Sequence, residues 1–184
     1  MDTLEAIRTR YACRNFDGNP IPADTLRAIA EAGLAAPSAM NHQPWLLLVL
    51  KDKPLIEELD KAGMDILAAT DPATHERMMG RGGRLFYGAS GMIVILQKTG
   101  DTKFTELDCG IVTANLTLAA RALGVDSVVC GFAGVVFEGD SGAANRERLG
   151  FPPGYDFALA VLFGYSAGPA GQPHAIDPSK IIEI

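Results

Sequence analysis

The sequence predicts a layered domain of helices and β-strands, of either the α/β or the α+β class. Two segments of helical period come before any strand, and about four apolar runs of strand length follow, with helical patterns between them. The 184 residues include 48% apolar and 21% charged side chains, an ordinary composition for a folded chain with its own core. No internal repeat or boundary is visible, so residues 1–184 are expected to form a single domain.

The first two elements are predicted to be helices. Asp2 is a good N-cap for a short helix in which Leu4 and Ile7 lie three residues apart. After a break rich in glycine and proline, Asp24 is expected to cap a second helix, which Pro37 ends. The buried stripe of this helix should comprise Leu26, Ile29, Ala30 and Gly33.

The middle of the chain alternates between strand and helix patterns. After a loop over residues 37–44, "WLLLVLK" predicts a strand buried on both faces, and residues 53–69 return to helical period. One side of that helix carries Leu55, Leu59, Ala62 and Ile66. Residues 70–88 are polar and glycine-rich, which predicts a mobile excursion with a short helix at 74–79, and "MIVILQ" then predicts the second strand.

The longest helical pattern, over residues 105–124, is apolar on more than one side. One stripe comprises Leu107, Ile111, Ala114 and Leu118, and another comprises Leu116, Ala119 and Leu123. Such a helix is either central or uses one face to meet a second subunit, and Gly124 is well suited to end it. Farther on, "DSVVCGFAGVV" and "FALAVLFGY" predict the third and fourth strands around a short helix in "GAANRERLG". The Pro/Gly-rich tail ends in "IIEI", a small apolar anchor.

Charge and composition argue against several classes of protein. The net charge of −6 disfavours binding to the phosphate backbone of nucleic acids. No apolar run reaches the length of about 18 residues that a membrane span needs, and the charged N-terminus does not resemble a secretory signal. The cysteines are few, odd in number and widely spaced, which fits a reducing cytoplasm. They are Cys13, Cys109 and Cys130.

Several common site motifs are missing from the sequence. It contains neither G-x-G-x-x-G nor a Walker A motif, so a Rossmann nucleotide site and a P-loop are not expected. The three histidines lack metal-ligand spacing, and no metal site is predicted. A cysteine nucleophile stays open as an alternative, although Cys109 and Cys130 fall in elements predicted to be buried.

Arg10 and Arg14 are candidates for binding an anion. They are four residues apart, which places them on one side of either a helix or an extended chain. A guanidinium group suits phosphate because its planar fork donates two parallel hydrogen bonds. The alternative is a solvated basic face at the end of a helix.

The stretch "APSAMNHQPW", residues 36–45, is a second candidate for binding a ligand. Its small residues allow the backbone to approach a planar ligand, and Ser38, Asn41 and Gln43 offer donors and acceptors to the edge of a heterocycle. The alternative is a helix end followed by an ordinary polar loop.

Five stretches taken together resemble the FMN-dependent nitroreductase family in order and spacing. They are "RYACRNF", "APSAMNHQPW", "FYGAS" before "MIVIL", "DCGIVTANLTLAARALGVDS" and "LGFPPGYDFALAVLFGY". The resemblance spans essentially the whole chain. It implies an α+β fold with a mixed central sheet of about four to five strands surrounded by helices. It also implies a homodimer with two FMN sites at the interface, in which the tail often reaches across the partner subunit.

The resemblance also assigns roles to individual residues. Arg10 would hold the FMN phosphate, and Arg14 would lie nearer the ribityl chain and the pyrimidine edge. The loop from Pro37 to Gln43 would cover the ring from the partner subunit, and the backbone of 129–131 would face the reactive edge. The implied cofactor-binding residues are Arg10, Tyr11, Ala12, Arg14, Pro37, Ser38, Ala39, Met40, Asn41, Gln43, Arg84, Val129, Cys130 and Gly131.

The chain departs from the family pattern at two places. Ala12 replaces the usual serine and loses one hydroxyl contact. Many family members carry an arginine or lysine in the tail that completes the phosphate pocket, but here the tail offers only His174 and Lys180. Arg81 or Arg84 is expected to substitute for it.

The implied activity is a ping-pong hydride transfer through FMN, from NADH or NADPH to a nitroaromatic, a quinone or a related small-molecule acceptor. The flavin would carry this chemistry, so no catalytic side chain is identified. The alternatives are a non-catalytic flavin-binding protein for storage or sensing, and a cysteine-dependent enzyme without flavin. The expected location is the cytoplasm, with no nucleic acid or membrane as a partner.

Overall fold

The computed structural model describes residues 1–140 and 142–184. In these ranges, one four-stranded sheet is covered by helices on both faces. The strands are β1 (Trp45–Leu50), β2 (Gly91–Lys98), β3 (Asp126–Cys130) and β4 (Tyr155–Gly164). The α-helices are α1 (Thr3–Thr9), α2 (Ala23–Leu34), α3 (Lys53–Thr70), α4 (Pro72–Met79), α5 (Thr105–Ala122), α6 (Gly134–Phe137) and α7 (Ala143–Arg148). Short 3-10 turns occupy Ala39–Asn41, Gly131–Ala133 and Pro178–Lys180.

The sheet has the strand order β1-β2-β4-β3, and all three pairs of neighbours run antiparallel. The α+β class and the four strands are therefore confirmed, but the expected mixed sheet is not found among the described strands. The parallel contact at this sheet is a single bridge between Ala12 and Ser127. It does not extend into a ladder, because the chain has already turned by Phe16, which pairs antiparallel with Ser166.

Two apolar cores fill the space on either side of the sheet. One lies beneath α3, α4 and α6 and includes the fully buried Phe86 and Phe137. The other lies beneath α2 and α5 and includes Ile93 and Phe163. Alternate residues of β2 point into opposite cores, so this central strand is buried over most of its length.

The N-terminal helices follow the sequence pattern closely. The side chain of Asp2 caps α1 by accepting a hydrogen bond of 2.9 Å from the Glu5 amide. Asp24 was wrongly predicted to cap α2, because Pro22 occupies the N-cap position and places Asp24 inside the first turn. The buried residues of α2 are the four predicted ones, Leu26, Ile29, Ala30 and Gly33.

Two burial predictions in the middle of the chain are wrong. Strand β1 is an edge strand, so Leu46 and Val49 remain 37% and 40% exposed instead of buried. Helix α3 is rotated from the predicted stripe and buries Ile56, Leu59, Gly63, Met64 and Leu67. The rotation has a local cause: Gly63 faces the core, where a Cβ would lie only 2.5 Å from the Leu85 side chain.

The segment over residues 70–88 is more firmly packed than its composition indicates. The predicted short helix exists as α4, and Asp71 caps it by accepting a 3.0 Å hydrogen bond from the Thr74 amide. Leu85 and Phe86 are fully buried in the first core, so this part of the expected excursion is anchored. The two apolar residues were obscured in the sequence by the glycines and arginines around them.

Helix α5 presents one buried face and one exposed face. Cys109, Val112 and Leu116 pack into the second core, and Gly124 follows the helix with φ +76°, as predicted for a terminating glycine. The stripe of Leu107, Ile111, Ala114 and Leu118 points away from this core, with Leu107 65% and Ile111 38% exposed. Among the described residues, the N-terminal part of this stripe is left exposed, whereas Leu118 is half-buried.

The C-terminal tail is exposed from Ala167 onward. Gly171 still rests on the ring of Tyr11, but the isoleucines of the expected anchor, Ile181, Ile182 and Ile184, are exposed. Among the described residues of their own chain, they find no buried position. Among the described helices, none is both long and apolar enough to cross a lipid bilayer.

Candidate functional site

The segment that carries Arg10 and Arg14 is extended. Helix α1 ends at Thr9, and the Cys13 amide donates a 3.0 Å hydrogen bond to the Ser127 carbonyl of β3. Burial alternates along the segment: Tyr11 and Cys13 point into the core, and Arg10, Ala12 and Arg14 are exposed. The two arginines therefore share the open side of an extended chain, as one of the two predicted geometries requires.

These arginines are free to bind a ligand. Within the described ranges, no carboxylate forms a salt bridge with Arg10, Arg14 or Arg84. Arg121 shows the contrast, since its guanidinium bonds to Thr9 Oγ1 at 3.0 Å and lies 3.5 Å from Asp126 Oδ1. In a chain with a net charge of −6, unpaired guanidinium groups form a local positive region that suits an anion.

The end of β3 lies beside this segment. Val129 and Gly131 follow Ser127, the bridge partner of Ala12, and both are exposed. Cys130 between them is buried, and its thiol faces the carbonyl of Leu85 at 4.0 Å. The structure thus places the predicted 129–131 segment next to the predicted arginine segment.

The three thiols are poor candidates for a nucleophile. Burial raises the pKa of Cys130 and of Cys109 to about 11, and burial also raises the pKa of Cys13. All three are free and buried. Because the thiolate is the reactive form, this environment argues against the cysteine-dependent alternative.

The predicted Pro37–Gln43 loop has an unusual backbone. Met40, Asn41 and Gln43 adopt positive φ angles of 50°, 57° and 47°. Such angles are uncommon for residues other than glycine and are found most often where structure serves a function. The loop side chains are largely open to solvent, with Met40 78% exposed.

Hydrogen bonds hold this loop in shape. The Gln43 amide donates to Ser38 Oγ at 2.9 Å, so the serine hydroxyl already serves the loop itself. The Ala39 amide donates to both carboxylate oxygens of Asp108 at 3.2 and 3.3 Å. The loop is therefore fixed to the N-terminal end of α5, where Asp108 lies in the first turn.

One chain does not bring the two predicted halves of the site together. The loop is attached at Asp108, whereas the arginine segment is attached at Arg121, near the other end of α5. Arg121 comes thirteen positions after Asp108 along the helix, which corresponds to a rise of about 20 Å. The arginine segment, residues 129–131 and Arg84 form one group, and the loop lies apart from them.

Arg84 joins the arginine group through the backbone of the neighbouring loop. Its Nη1 atom lies 2.8 Å from the place where a Cβ on Gly88 would be. The Phe16 amide donates a 3.1 Å hydrogen bond to the Tyr87 carbonyl, which ties this loop to a point two residues beyond Arg14. Arg81 lies exposed in the turn after α4, and His174 and Lys180 lie in the exposed tail.

Sequence reasoning missed two residues that shape this group. Asp60 of α3 accepts a 2.9 Å hydrogen bond from the Phe86 amide, although its position in an amphipathic helix suggests only a surface acid. Gly88, with φ +77°, follows Tyr87, which is itself at φ +55°. The adjacent "YG" was the available signal for an unusual turn.

The donor set fits FMN. An unpaired guanidinium group such as that of Arg10 suits a doubly charged phosphate, and the exposed side of residues 10–14 and 129–131 is accessible to a ligand. Among the described residues, no three His, Cys, Asp or Glu side chains gather in a way that could hold a metal ion.

Comparisons with known proteins agree with this chemistry. The sequence profile described as "Nitroreductase family" matches residues 7–165. A nitroreductase from Desulfitobacterium hafniense with bound FMN is 40% identical, with a TM-score of 0.90 over 100% of this chain and 99% of that one. A nitroreductase with bound FMN from Bacteroides fragilis is 26% identical, with a TM-score of 0.88 over the same shares. An Archaeoglobus fulgidus protein, proposed to be an NADH dehydrogenase/NAD(P)H nitroreductase, is 29% identical over 89% of this chain and 85% of its own length.

Proposed function

The chain belongs to the nitroreductase family, and from this premise we propose that it is an FMN-dependent oxidoreductase. Its substrates would be NADH or NADPH as the reductant and a nitroaromatic, a quinone or a related compound as the acceptor. The observation that carries the proposal is the group of unpaired arginines beside the exposed 129–131 segment, in a chain that matches FMN-bound relatives over its full length.

Individual residues would divide the work of binding. Arg10 would hold the phosphate, and Arg14 and Arg84 would add positive charge nearer the ring. When bound, FMN would supply the redox chemistry by taking a hydride from the nicotinamide and passing it to the acceptor. The arginines favour the negative charge that accompanies reduction, and the open backbone of 129–131 leaves room for the substrate.

A second copy of the chain would complete the site. If the exposed stripe of α5 packs against the same stripe of its partner around a two-fold axis perpendicular to the helix, the two helices run antiparallel. The loop at the N-terminal end of one α5 then meets the arginine group at the C-terminal end of the other. This arrangement removes the separation of about 20 Å within one chain and covers Leu107 and Ile111. We therefore propose a homodimer with one composite FMN site at each end.

The tail and the thiols belong to the same proposal. The exposed Ile181, Ile182 and Ile184 would find their contacts on the partner subunit.

The three free, buried cysteines fit a reducing compartment, and we propose that the protein is located in the cytoplasm.

The visible spectrum of the purified protein tests the proposal first. We expect a yellow protein that releases FMN, and not FAD, on heating, and that oxidises NADH or NADPH when a quinone or nitroaromatic is present. A protein that binds FMN but never accepts electrons from either nicotinamide would instead be a storage or sensing protein. A colourless protein that FMN cannot reconstitute, and that alkylation inactivates, would favour the cysteine-dependent alternative.

A further inference from the structure

Asp60 is an acidic residue on the inner side of α3. One carboxylate oxygen accepts a 2.9 Å hydrogen bond from the Phe86 amide, and the Leu85 amide also favours its ionised form. Both amides belong to the loop between α4 and β2, whose apolar residues Leu85 and Phe86 are fully buried. The carboxylate thus fixes the backbone of this loop to helix α3.

The opposite side of the loop is held by the N-terminal segment. The Phe16 amide donates to the Tyr87 carbonyl at 3.1 Å, and the Phe16 carbonyl lies 3.4 Å from the Cβ position of Gly88. The loop is therefore clamped between Asp60 and the residue that follows Arg14 by two positions. Tyr87 and Gly88 adopt left-handed conformations within this clamp.

Arg84 stands at the start of the clamped loop with its guanidinium unpaired. Its charge lies near enough to Asp60 to oppose the rise that burial imposes on the pKa of that carboxyl. Among the described residues it forms no salt bridge with Asp60, and its Nη1 atom lies 2.8 Å from the Cβ position of Gly88. Asp60 consequently accepts hydrogen bonds from the loop amides, and the N–H donors of Arg84 stay available for a ligand.

Asp60 and Cys130 contact neighbouring residues of the same loop, because Asp60 accepts a hydrogen bond from the Phe86 amide at 2.9 Å. Cys130 in turn faces the carbonyl of Leu85 at 4.0 Å. One half-buried carboxylate therefore contacts the loop that carries Arg84 and that also faces Cys130.

We propose that Asp60 is a positioning residue for the cofactor, which holds the Leu85–Gly88 loop so that Arg84 joins Arg14 in binding FMN. The inference rests on the proposed function, since it assigns Arg84 to the FMN site. Asp60 acts through Arg84 and does not itself touch the ligand. The effects on FMN affinity of substituting Asp60 and Arg84 should therefore be non-additive.

A double-mutant cycle on FMN affinity tests this dependence. We expect Arg84→Ala to weaken binding about ten- to a hundredfold, the range for loss of a charge-assisted contact. Asp60→Ala should weaken it by a similar factor, and the double variant should be no weaker than Arg84→Ala alone, because linked residues are non-additive. Asp60→Asn keeps one acceptor oxygen, so its loss of FMN affinity should be smaller. This variant replaces Asp60→Ala in the cycle if the alanine variant does not fold.

Glu57→Gln is the matched control, because Glu57 lies on the same helix, is 59% exposed and, among the described residues, forms a salt bridge only with Lys53, at 3.7 Å. Its FMN affinity should equal that of the parent. Additive losses in the cycle would overturn the inference, as would an Arg84→Ala variant with parental affinity. In either case a yellow parent would leave the proposed function standing.

Limited tryptic digestion of the FMN-free protein supplies a second readout. Asp60→Ala should speed cleavage after Arg84 severalfold relative to the parent and to Glu57→Gln, because the loop loses its attachment to α3, and Asp60→Asn, which keeps one acceptor oxygen, should speed it less. Equal cleavage rates would overturn the role of Asp60 in holding the loop. If the parent binds no FMN, the proposed function fails along with the ligand part of the inference, and digestion still decides whether Asp60 holds the loop.

Discussion

Arg10 is the residue at which the anion site can be tested most directly. It is exposed, without a salt bridge among the described residues, and it lies on the open side of an extended segment. We expect Arg10→Ala to cost about 1.5–3 kcal/mol of FMN binding, or roughly ten- to a hundredfold in affinity. The free energy of unfolding should change by no more than about 0.5 kcal/mol.

Titration of the apoprotein with FMN at fixed salt measures this effect. Arg27→Ala is the control, because Arg27 is 79% exposed and pairs only with Glu31 of the same helix. Its FMN affinity should match that of the parent. Unchanged affinity in the Arg10 variant would mean that the phosphate binds elsewhere.

Asp60 should leave a signature in the pH dependence of stability. Burial raises the pKa of its carboxyl above 3.8, so the folded state holds this proton more tightly than the unfolded state does. The stability that the group contributes is thus full below pH 3.8 and is lost as the pH rises through the higher folded pKa. Asp60→Asn cannot titrate.

The difference between parent and Asp60→Asn in urea unfolding therefore isolates this carboxyl. Relative to the variant, the parent should lose stability as the pH rises from about 4 toward neutrality. A difference that is constant over this range, or that changes in the opposite direction, would contradict the assigned burial. Other acids with a lowered pKa, such as Asp71, contribute equally to both proteins and cancel.

At the scale of elements, helix α3 shows how one small residue sets a helix against the core. A Cβ on Gly63 would lie 2.5 Å from Leu85 and 2.9 Å from Val136. We expect Gly63→Ala to destabilise the protein by about 1–3 kcal/mol through overpacking, although alanine is the better helix former.

Gly80 provides the comparison for this substitution. It ends α4 at a helical φ of −63°, and a Cβ there would meet only backbone oxygens at 3.6 and 3.7 Å. Gly80→Ala should be neutral or slightly stabilising in the same urea experiment. If both variants behaved alike, the close approach of α3 to Leu85 would not be the reason for its rotation.

Periodicity identified the elements but could not orient all of them. The buried residues of α2 follow from spacing alone because its apolar stripe is continuous. The stripe of α3 was misplaced because Gly63, which has no side chain to count as apolar, marks the inner face. The exposure of β1 could not be predicted either, since position at the sheet edge depends on strand order.

Only part of the candidate site could be predicted from the sequence, because some of its residues belong to no recognisable pattern. The even spacing of Arg10 and Arg14 suffices to place both on one side of the chain, and the structure places residues 129–131 beside them. Asp60 carries no such signal, because a single acid in a helix is indistinguishable from a solvated one until the loop amides approach it. The roles of all these residues toward FMN stay predictions.

At the scale of the whole molecule, the exposed stripe of α5 leads to a prediction about assembly. We expect the parent to have twice the 19.5 kDa mass of one chain in light scattering. Leu107→Lys combined with Ile111→Lys should give folded monomers that lose FMN, because charge replaces the apolar contact and the loop no longer meets the arginine group.

Leu34→Lys is the control for this double substitution. Leu34 is 49% exposed on α2 and lies outside the α5 stripe, so its variant should remain a dimer that binds FMN. A parent that has the mass of one chain while retaining its cofactor would contradict the composite site.

The outer edge of β1 has a consequence for how the protein is made. Strand β1 pairs with β2 on one side. Its other side leaves a row of backbone amides and carbonyls unpaired among the described strands, beside the exposed Leu46 and Val49. An open edge of this kind is a template for aggregation between newly made chains. We therefore expect the yield of refolding to fall as chain concentration rises, with losses into β-rich precipitate. A charge at the edge, as in Val49→Lys, should recover part of that yield in a dilution series.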